Sequence, residues 1–298
     1  MLKRKIGVAL GGGGARGAAH IGVLEHFTAI GLNIHCISGT SAGAIIAAMY
    51  AFGVDFEVMK RELKKVNPTP FTSFKIGKLG LFENTEMMAM LERLLPPDAK
   101  IENAPIPLTI KVTDLISGQG VLLSHGSVIE AVMASSCVPG FYLPLERDNM
   151  ILADGGLTEN VPLSGLKFHG ANLLIGVNLS GNTSYSKPTG ILEVVSNSMD
   201  IAIDVRTRRQ LKQADFAISI DLTEYSRTSS KDFDHLVNRG RLAAEFKIPN
   251  VSSLYFWNRF VKLWKIIKEI TPVKVPETIA RLFRHGEEKD KIPKSLTP

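Results

Sequence analysis

Apolar residues fall into two alternating kinds of run through most of this 298-residue chain. The first kind is short and continuous: Ile6-Gly7-Val8-Ala9-Leu10, Ile34-His35-Cys36-Ile37 and Leu173-Leu174-Ile175-Gly176-Val177. Runs of that length, bounded by glycine or polar residues, predict buried strands. The second kind spaces apolar residues three and four apart, as at Ile21, Leu24 and Phe27, and predicts helices with one buried face. The same two rules predict strands near 6–10, 34–38, 107–113, 119–124, 150–153, 173–179 and 216–221. They predict helices near 18–30, 42–52, 55–66, 84–95, 127–135, 191–213 and 234–246. Asn84-Thr85 and Ser127 stand where helix N-caps belong. Strand and helix in alternation imply an α/β fold: a mostly parallel central sheet flanked by helices, with its site at the C-terminal strand ends.

Two strand-to-helix joints carry chemistry. Gly39-Thr40-Ser41-Ala42-Gly43 is a G-x-S-x-G pentapeptide between the second strand and the next helix. That context holds a serine in a sharp turn with its hydroxyl clear of the sheet, as attack on a carbonyl requires. Gly39 and Gly43 give the backbone room to double back, and the helix points its positive end at the hydroxyl. Alone, the pentapeptide fits a plain small-residue turn equally well. The other joint is Gly11-Gly12-Gly13-Gly14-Ala15-Arg16-Gly17, directly after the first strand. Successive glycines expose backbone N–H groups on one concave surface, which suits an anion. Gly12-x-Gly14-x-x-Gly17 also fits a dinucleotide loop, but that reading needs an acidic residue about 20 positions on. None occurs from Asn33 to Phe52. The remaining anion is the oxyanion formed when Ser41 attacks an ester, where losing one donor costs about 2.7–4 kcal/mol of barrier. A third motif supplies a base: Met150-Ile151-Leu152-Ala153 ends in Asp154-Gly155-Gly156, a carboxylate at a strand end in a turn open to close approach.

Gly-Gly-Gly-x-Arg-Gly, Gly-x-Ser-x-Gly about 25 residues on and a distant Asp-Gly-Gly resemble the patatin-like phospholipases. Ala134-Ser135-Ser136-Cys137-Val138-Pro139-Gly140-Phe141 resembles the family's Ala-Ser…Pro-Gly segment, and the likeness spans roughly residues 5–225. The resemblance implies the three-layer patatin-like fold and lipid acyl hydrolysis by a Ser–Asp dyad, with no histidine, metal or cofactor. It makes Ser41 the nucleophile and Asp154 its base, matches Gly12, Gly13, Gly14 and Arg16 to the oxyanion segment, and leaves Gly17, Gly39, Gly43, Gly155 and Gly156 to support the motifs. A buried aspartate can accept the serine proton directly and return it to the leaving alcohol, with water then cleaving the acyl-enzyme. Two alternatives stand beside this one. A Ser-His-Asp triad would recruit His169 or His235, both of which follow Asp154 in chain order. A non-catalytic lipid-binding protein would keep the fold without using Ser41.

Composition adds limits. At 45% hydrophobic residues the chain can bury a full core. Its two cysteines, Cys36 and Cys137, suit small buried positions rather than a disulfide framework, and with them a cytoplasmic location. Met1–Lys5 is basic, but too few apolar residues follow for a leader. No run approaches the roughly 18 apolar residues of a membrane span. From Lys247 onward eleven Lys and Arg face five Asp and Glu, so this tail carries the whole net charge of +6. The expected division is therefore a catalytic domain at 1–246 and a basic tail at 247–298. Within the tail, Leu254–Ile270 is amphipathic, with Trp257, Phe260, Val261, Trp264, Ile267 and Ile270 on one face. It fits a peripheral membrane contact or a helix docked on the domain. Nucleic acid is not an expected partner, because no known binding motif accompanies the charge. Residues 67–83, holding Pro68, Pro70, Gly77 and Gly80, read as a long loop, either a lid or a surface excursion.

Overall fold

A computed structural model describes residues 4–66, 74–77, 80–82, 85–181, 185 and 187–254. The N-terminal half contains β1 (Ile6–Leu10), α1 (Ala19–Ala29), β2 (Ile34–Gly39), α2 (Ala42–Ala51) and α3 (Phe56–Lys65). A small hairpin of β3 (Phe74–Gly77) and β4 (Gly80–Phe82) precedes α4 (Thr85–Leu94). Next come β5 (Leu108–Asp114), β6 (Gly120–Leu123), α5 (Val128–Ser135), β7 (Leu145–Arg147) and β8 (Met150–Asp154). The C-terminal part adds α6 (Gly156–Glu159), α7 (Leu163–Phe168), β9 (Leu173–Asn178), α8 (Ile191–Leu211), β10 (Phe216–Ser219) and α9 (Phe233–Lys247).

The main sheet runs β10-β9-β1-β2-β5-β8-β7, with β6 also paired to β5. Strands β10, β9, β1, β2 and β5 are mutually parallel, while β6 and β8 lie antiparallel to β5. Leu10 is level with both Gly39 and Val177, so β1, β2 and β9 end together. Residue alternation builds three layers. Val8, Leu10, Ile37, Ile175 and Val177 face a large core shared with α1, α2 and α9. Ala9, Cys36 and Leu174 face a smaller core with Leu163 and Leu166 of α7 and Leu211 of α8. Burial on both faces explains why these strands read as unbroken apolar runs.

Every strand and helix expected from the sequence is present, with ends within about two residues. Ser127 caps α5, accepting the N–H of Glu130 at 3.3 Å. The two cysteines are free and buried. The structure adds β3, β4, β7, α6 and α7, each too short to show a period. Residues 67–73, 78–79 and 83–84 lie outside the described residues, and with them the reading of this segment as a lid. The amphipathic segment Leu254–Ile270 lies outside them too, apart from Leu254. That residue and Ile248 are fully buried in the large core.

Candidate active site

Only Thr40 and Ser41 separate β2 from α2, so the chain reverses direction within two residues. Ser41 takes φ 53° and ψ −125°, a strained conformation for a side-chain-bearing residue that costs on the order of 1–3 kcal/mol. Hydrogen bonds from both flanks hold it there. Its N–H donates to Ser135 Oγ at 2.8 Å, and that hydroxyl donates to the Lys111 carbonyl of β5 at 2.7 Å. Thr40 N–H donates to the Leu10 carbonyl at 3.1 Å, and its hydroxyl to the Glu159 carbonyl at 3.1 Å. Behind the turn, a Cβ on Gly43 would lie 2.1 Å from the Leu10 carbonyl oxygen and 2.7 Å from that of Gly11. Gly39 is pressed in the same way against the Gly43 carbonyl. Because the opposing atoms are backbone, Gly43→Ala should lower the unfolding free energy by about 3 kcal/mol or more. Gly190→Ala, where nothing lies within 4 Å, is the neutral control. A urea midpoint for Gly43→Ala equal to that of the control would show that the turn tolerates the methyl.

Ser41 opens onto a cavity of about 290 Å³, and Asp154, at the end of β8, lines it too. The Asp154 side chain is largely buried; Oδ1 accepts the Gly156 N–H at 2.7 Å, and the Ser41 hydroxyl lies near enough to the carboxylate to favour its charged form. Burial pushes this carboxyl up to about 6, the Gly156 N–H and the nearby Ser41 hydroxyl hold it down, and the charge of Asp200 pushes it further up. Gly155 lies against the Lys111 carbonyl, which sets the path of the chain away from Asp154.

The glycine run passes the same serine. Gly12 N–H donates to Asn160 Oδ1 at 3.0 Å, and Ala15 N–H donates to the Arg227 carbonyl at 2.8 Å. Between them, the N–H groups of Gly13 and Gly14 have no hydrogen-bond partner among the described residues, and both glycines line the cavity. Gly14 holds φ 60°, and its missing Cβ admits the Arg227 carbonyl. Gly17 packs on Ala42 at the start of α2. Arg16 follows a different course. Its guanidinium is buried away from the cavity, donating to the Tyr225 carbonyl from Nε at 2.9 Å and Nη2 at 2.6 Å, and to the Thr223 carbonyl at 3.4 Å. It therefore braces the turn of the glycine run from behind.

A family model described as patatin-like phospholipase matches residues 8–167, more than half of the chain. The chain belongs to the patatin-like phospholipase family. It is 33% identical over 180 residues to an uncharacterised NTE family protein of Mycobacterium tuberculosis, covering 60% of this chain and 50% of that one. With Lysophospholipase NTE1 of Candida glabrata it shares 27% identity over 190 residues, 58% of this chain and 10% of that protein. The crystal structure of VipD from Legionella pneumophila superposes with a TM-score of 0.46 at 17% identity, over 81% of this chain and 66% of that one. The chain spans about half the length of the mycobacterial relatives it matches.

The patatin-like motifs converge on one cavity: Gly12, Gly13, Gly14, Ser41, Asp154 and Gly156 all line it. Two further residues complete the geometry and escaped the sequence reading. Asn160, six residues past Asp154, is buried and ties that segment to Gly12. Its only trace in the sequence is a polar side chain against the apolar Val161-Pro162. Ser135 sat inside the recognised Ala-Ser segment, but its bond to the Ser41 amide depends on α5 packing across β5. The histidines lie elsewhere. His20 and His26 are buried against the carbonyls of Gly11 and Ile248. His169 meets the Leu108 carbonyl at 3.2 Å, at the opposite end of the sheet from Ser41, and His235 is exposed on α9. No histidine lines the cavity among the described residues. Among the same residues, no helix is long and apolar enough to cross a membrane.

Proposed function

We propose that this chain is a serine lipid acyl hydrolase of the phospholipase A, lysophospholipase or carboxylesterase type, working through Ser41 and Asp154. The observation that carries the reading is a buried carboxylate and a strained, positive-φ serine sharing the wall of one amphipathic cavity, close enough that the serine hydroxyl lowers the carboxyl's proton affinity. Ser41 Oγ attacks the ester carbonyl carbon while Asp154 takes its proton. The unpartnered N–H groups of Gly13 and Gly14 receive the oxyanion, with Gly12 held in line by Asn160 and the loop braced by Arg16. Collapse of the tetrahedral species expels the alcohol, which takes the proton back from Asp154 and leaves an acyl-Ser41 ester. Water then gives its proton to Asp154 and attacks that ester, and the fatty acid departs with Ser41 restored. Ile45, Ile46, Leu63, Val66 and Met87 offer apolar wall to the acyl chain.

The test is direct. A fluorophosphonate probe should label the protein on the peptide containing Ser41, and lysophospholipids should release free fatty acid detectable by mass spectrometry. Labelling elsewhere, or none with no fatty acid released from any ester, would reject the reading. No step uses a metal, so EDTA should leave the rate unchanged; loss restored by calcium would show otherwise.

The Asp154 carboxyl also fixes a pH profile. Only its charged form accepts the serine proton, and burial raises its pKa to about 6. The rate kcat/KM should therefore climb about tenfold per pH unit below that value and level off above about pH 7. A flat rate from pH 4.5 to 8 for a soluble ester would exclude Asp154 as the base.

A further inference from the structure

The cavity lining combines apolar side chains with a small set of charged ones. Helix α8 contributes Asp200 and Asp204, one turn apart, and the loop between β10 and α9 contributes Arg227, Thr228 and Ser230. Arg227 Nη1 pairs with Asp200 Oδ1 at 2.5 Å, and Nη2 donates to Ser180 Oγ at 3.4 Å. Asp204 is buried and accepts the Tyr185 hydroxyl at 2.8 Å. We propose that this polar wall is a head-group subsite for zwitterionic phospholipids, Arg227 taking the phosphodiester and the Asp200–Asp204 pair taking the ammonium.

The inference rests on the hydrolase reading above and adds a leaving-group specificity to it. With the acyl chain of an ester at Ser41 against Ile45, Ile46 and Leu63, its alcohol portion is left to the rest of the lining, whose charged side chains besides Asp154 are these three. A guanidinium has five N–H donors in a planar fork that matches two phosphate oxygens. Here its contacts with Asp200 and Ser180 fix the fork while using two of them. Of the side chains that line this part of the cavity, Arg227 stands against Asp200 and Asp204, a sum of −1, while the Arg16 guanidinium acts on the two carboxylates from outside the lining. A zwitterionic head group matches both signs, whereas an anionic one brings a phosphate with no cation to meet the carboxylates. Burial, with the charge of Asp204 adding to it, holds the Asp200 carboxyl above its ordinary range although Arg227 and Arg16 both act against the shift. The subsite is also tied to the chemistry. The Arg227 carbonyl receives the Ala15 N–H, so the residue that would hold the phosphate through its side chain holds the glycine run through its backbone.

The experiment compares lysophosphatidylcholine, lysophosphatidylglycerol and a monoacylglycerol of one acyl chain, all as monomers, with the full chain. The choline lipid should exceed the other two in kcat/KM by at least tenfold. Arg227→Leu should bring the choline lipid down to the monoacylglycerol level, and Arg227→Lys should recover part of the gap. Asp200→Asn with Asp204→Asn should raise the glycerol lipid relative to the choline lipid. A native protein that treats the three alike, or prefers the glycerol lipid, overturns the proposal even if no variant folds. So does an Arg227→Leu protein that loses activity equally on all three, since that marks a purely structural role. To separate this from the parent reading, calorimetry on Ser41→Ala should show dodecylphosphocholine binding at least tenfold tighter than dodecyl sulfate. Tight phosphocholine binding without Ser41 labelling in the native protein would sink the hydrolase and keep the subsite; labelling with equal binding of both detergents would do the reverse.

Discussion

Asp154→Asn should lower kcat/KM on a soluble nitrophenyl ester by about 10²–10⁴-fold, the range a positioned acid–base group supplies. The amide keeps the shape and can still accept the Gly156 N–H, but it cannot take a proton from Ser41. The same substitution should make the protein more stable at pH 8. The folded carboxyl titrates near 6 against an ordinary 3.8, mainly because it is buried. A group with a raised folded pKa adds stability only while protonated: that stability is fully present below about pH 4 and is lost as pH rises through 6. Two pH units of such a shift correspond to on the order of 3 kcal/mol. The Asn variant should therefore melt several degrees above the native protein at pH 8, with the gap closing toward pH 4. His169→Ala and His235→Ala should each keep activity within about tenfold, or roughly 1.4 kcal/mol of barrier. A histidine variant that loses several orders of magnitude, with Asp154→Asn nearly unaffected, would transfer the base to that histidine.

Ser41→Ala should remove ester hydrolysis and fluorophosphonate labelling together while the fold survives. The hydroxyl makes no cap to α2, so its loss leaves the hydrogen bonds of the turn in place. Ser41→Gly should be equally inactive yet more stable than Ser41→Ala, because only glycine relieves the strain at φ 53°. The expected gap is about 1 kcal/mol in a urea titration. Turnover of the ester by pure Ser41→Ala protein would move the nucleophile elsewhere; equal stability of the two variants would show that the turn stores no strain.

Much of this was legible along the chain because the motifs are local. A glycine run after a strand, a serine between Gly39 and Gly43, and Asp154 before two glycines each announce a backbone path that few other residues allow. Two-sided burial wrote the parallel strands as continuous apolar runs, and one-sided burial wrote α3 as an amphipathic helix. The shortest elements, β7 and α6 among them, stayed hidden because three or four residues cannot display a period.

The local sequence thus carried the turns, the strands and the identity of the reacting groups, since each depends on φ and ψ or on burial within a few residues. It could not say which groups would meet. Ser135 reaches the Ser41 amide across 94 positions, and Asn160 reaches Gly12 across 148. Arg16 shows the same limit from the other side. Its motif suggests a place at the oxyanion, whereas packing against the loop at 223–225 turns its guanidinium the other way. The apolar and charged side chains that line the cavity likewise come from α2, α3, α8 and the loop at 227–230, brought together only in the folded chain. Hydrogen bonds and charge pairs between distant segments form only after the chain has collapsed, so the tertiary structure alone decides them.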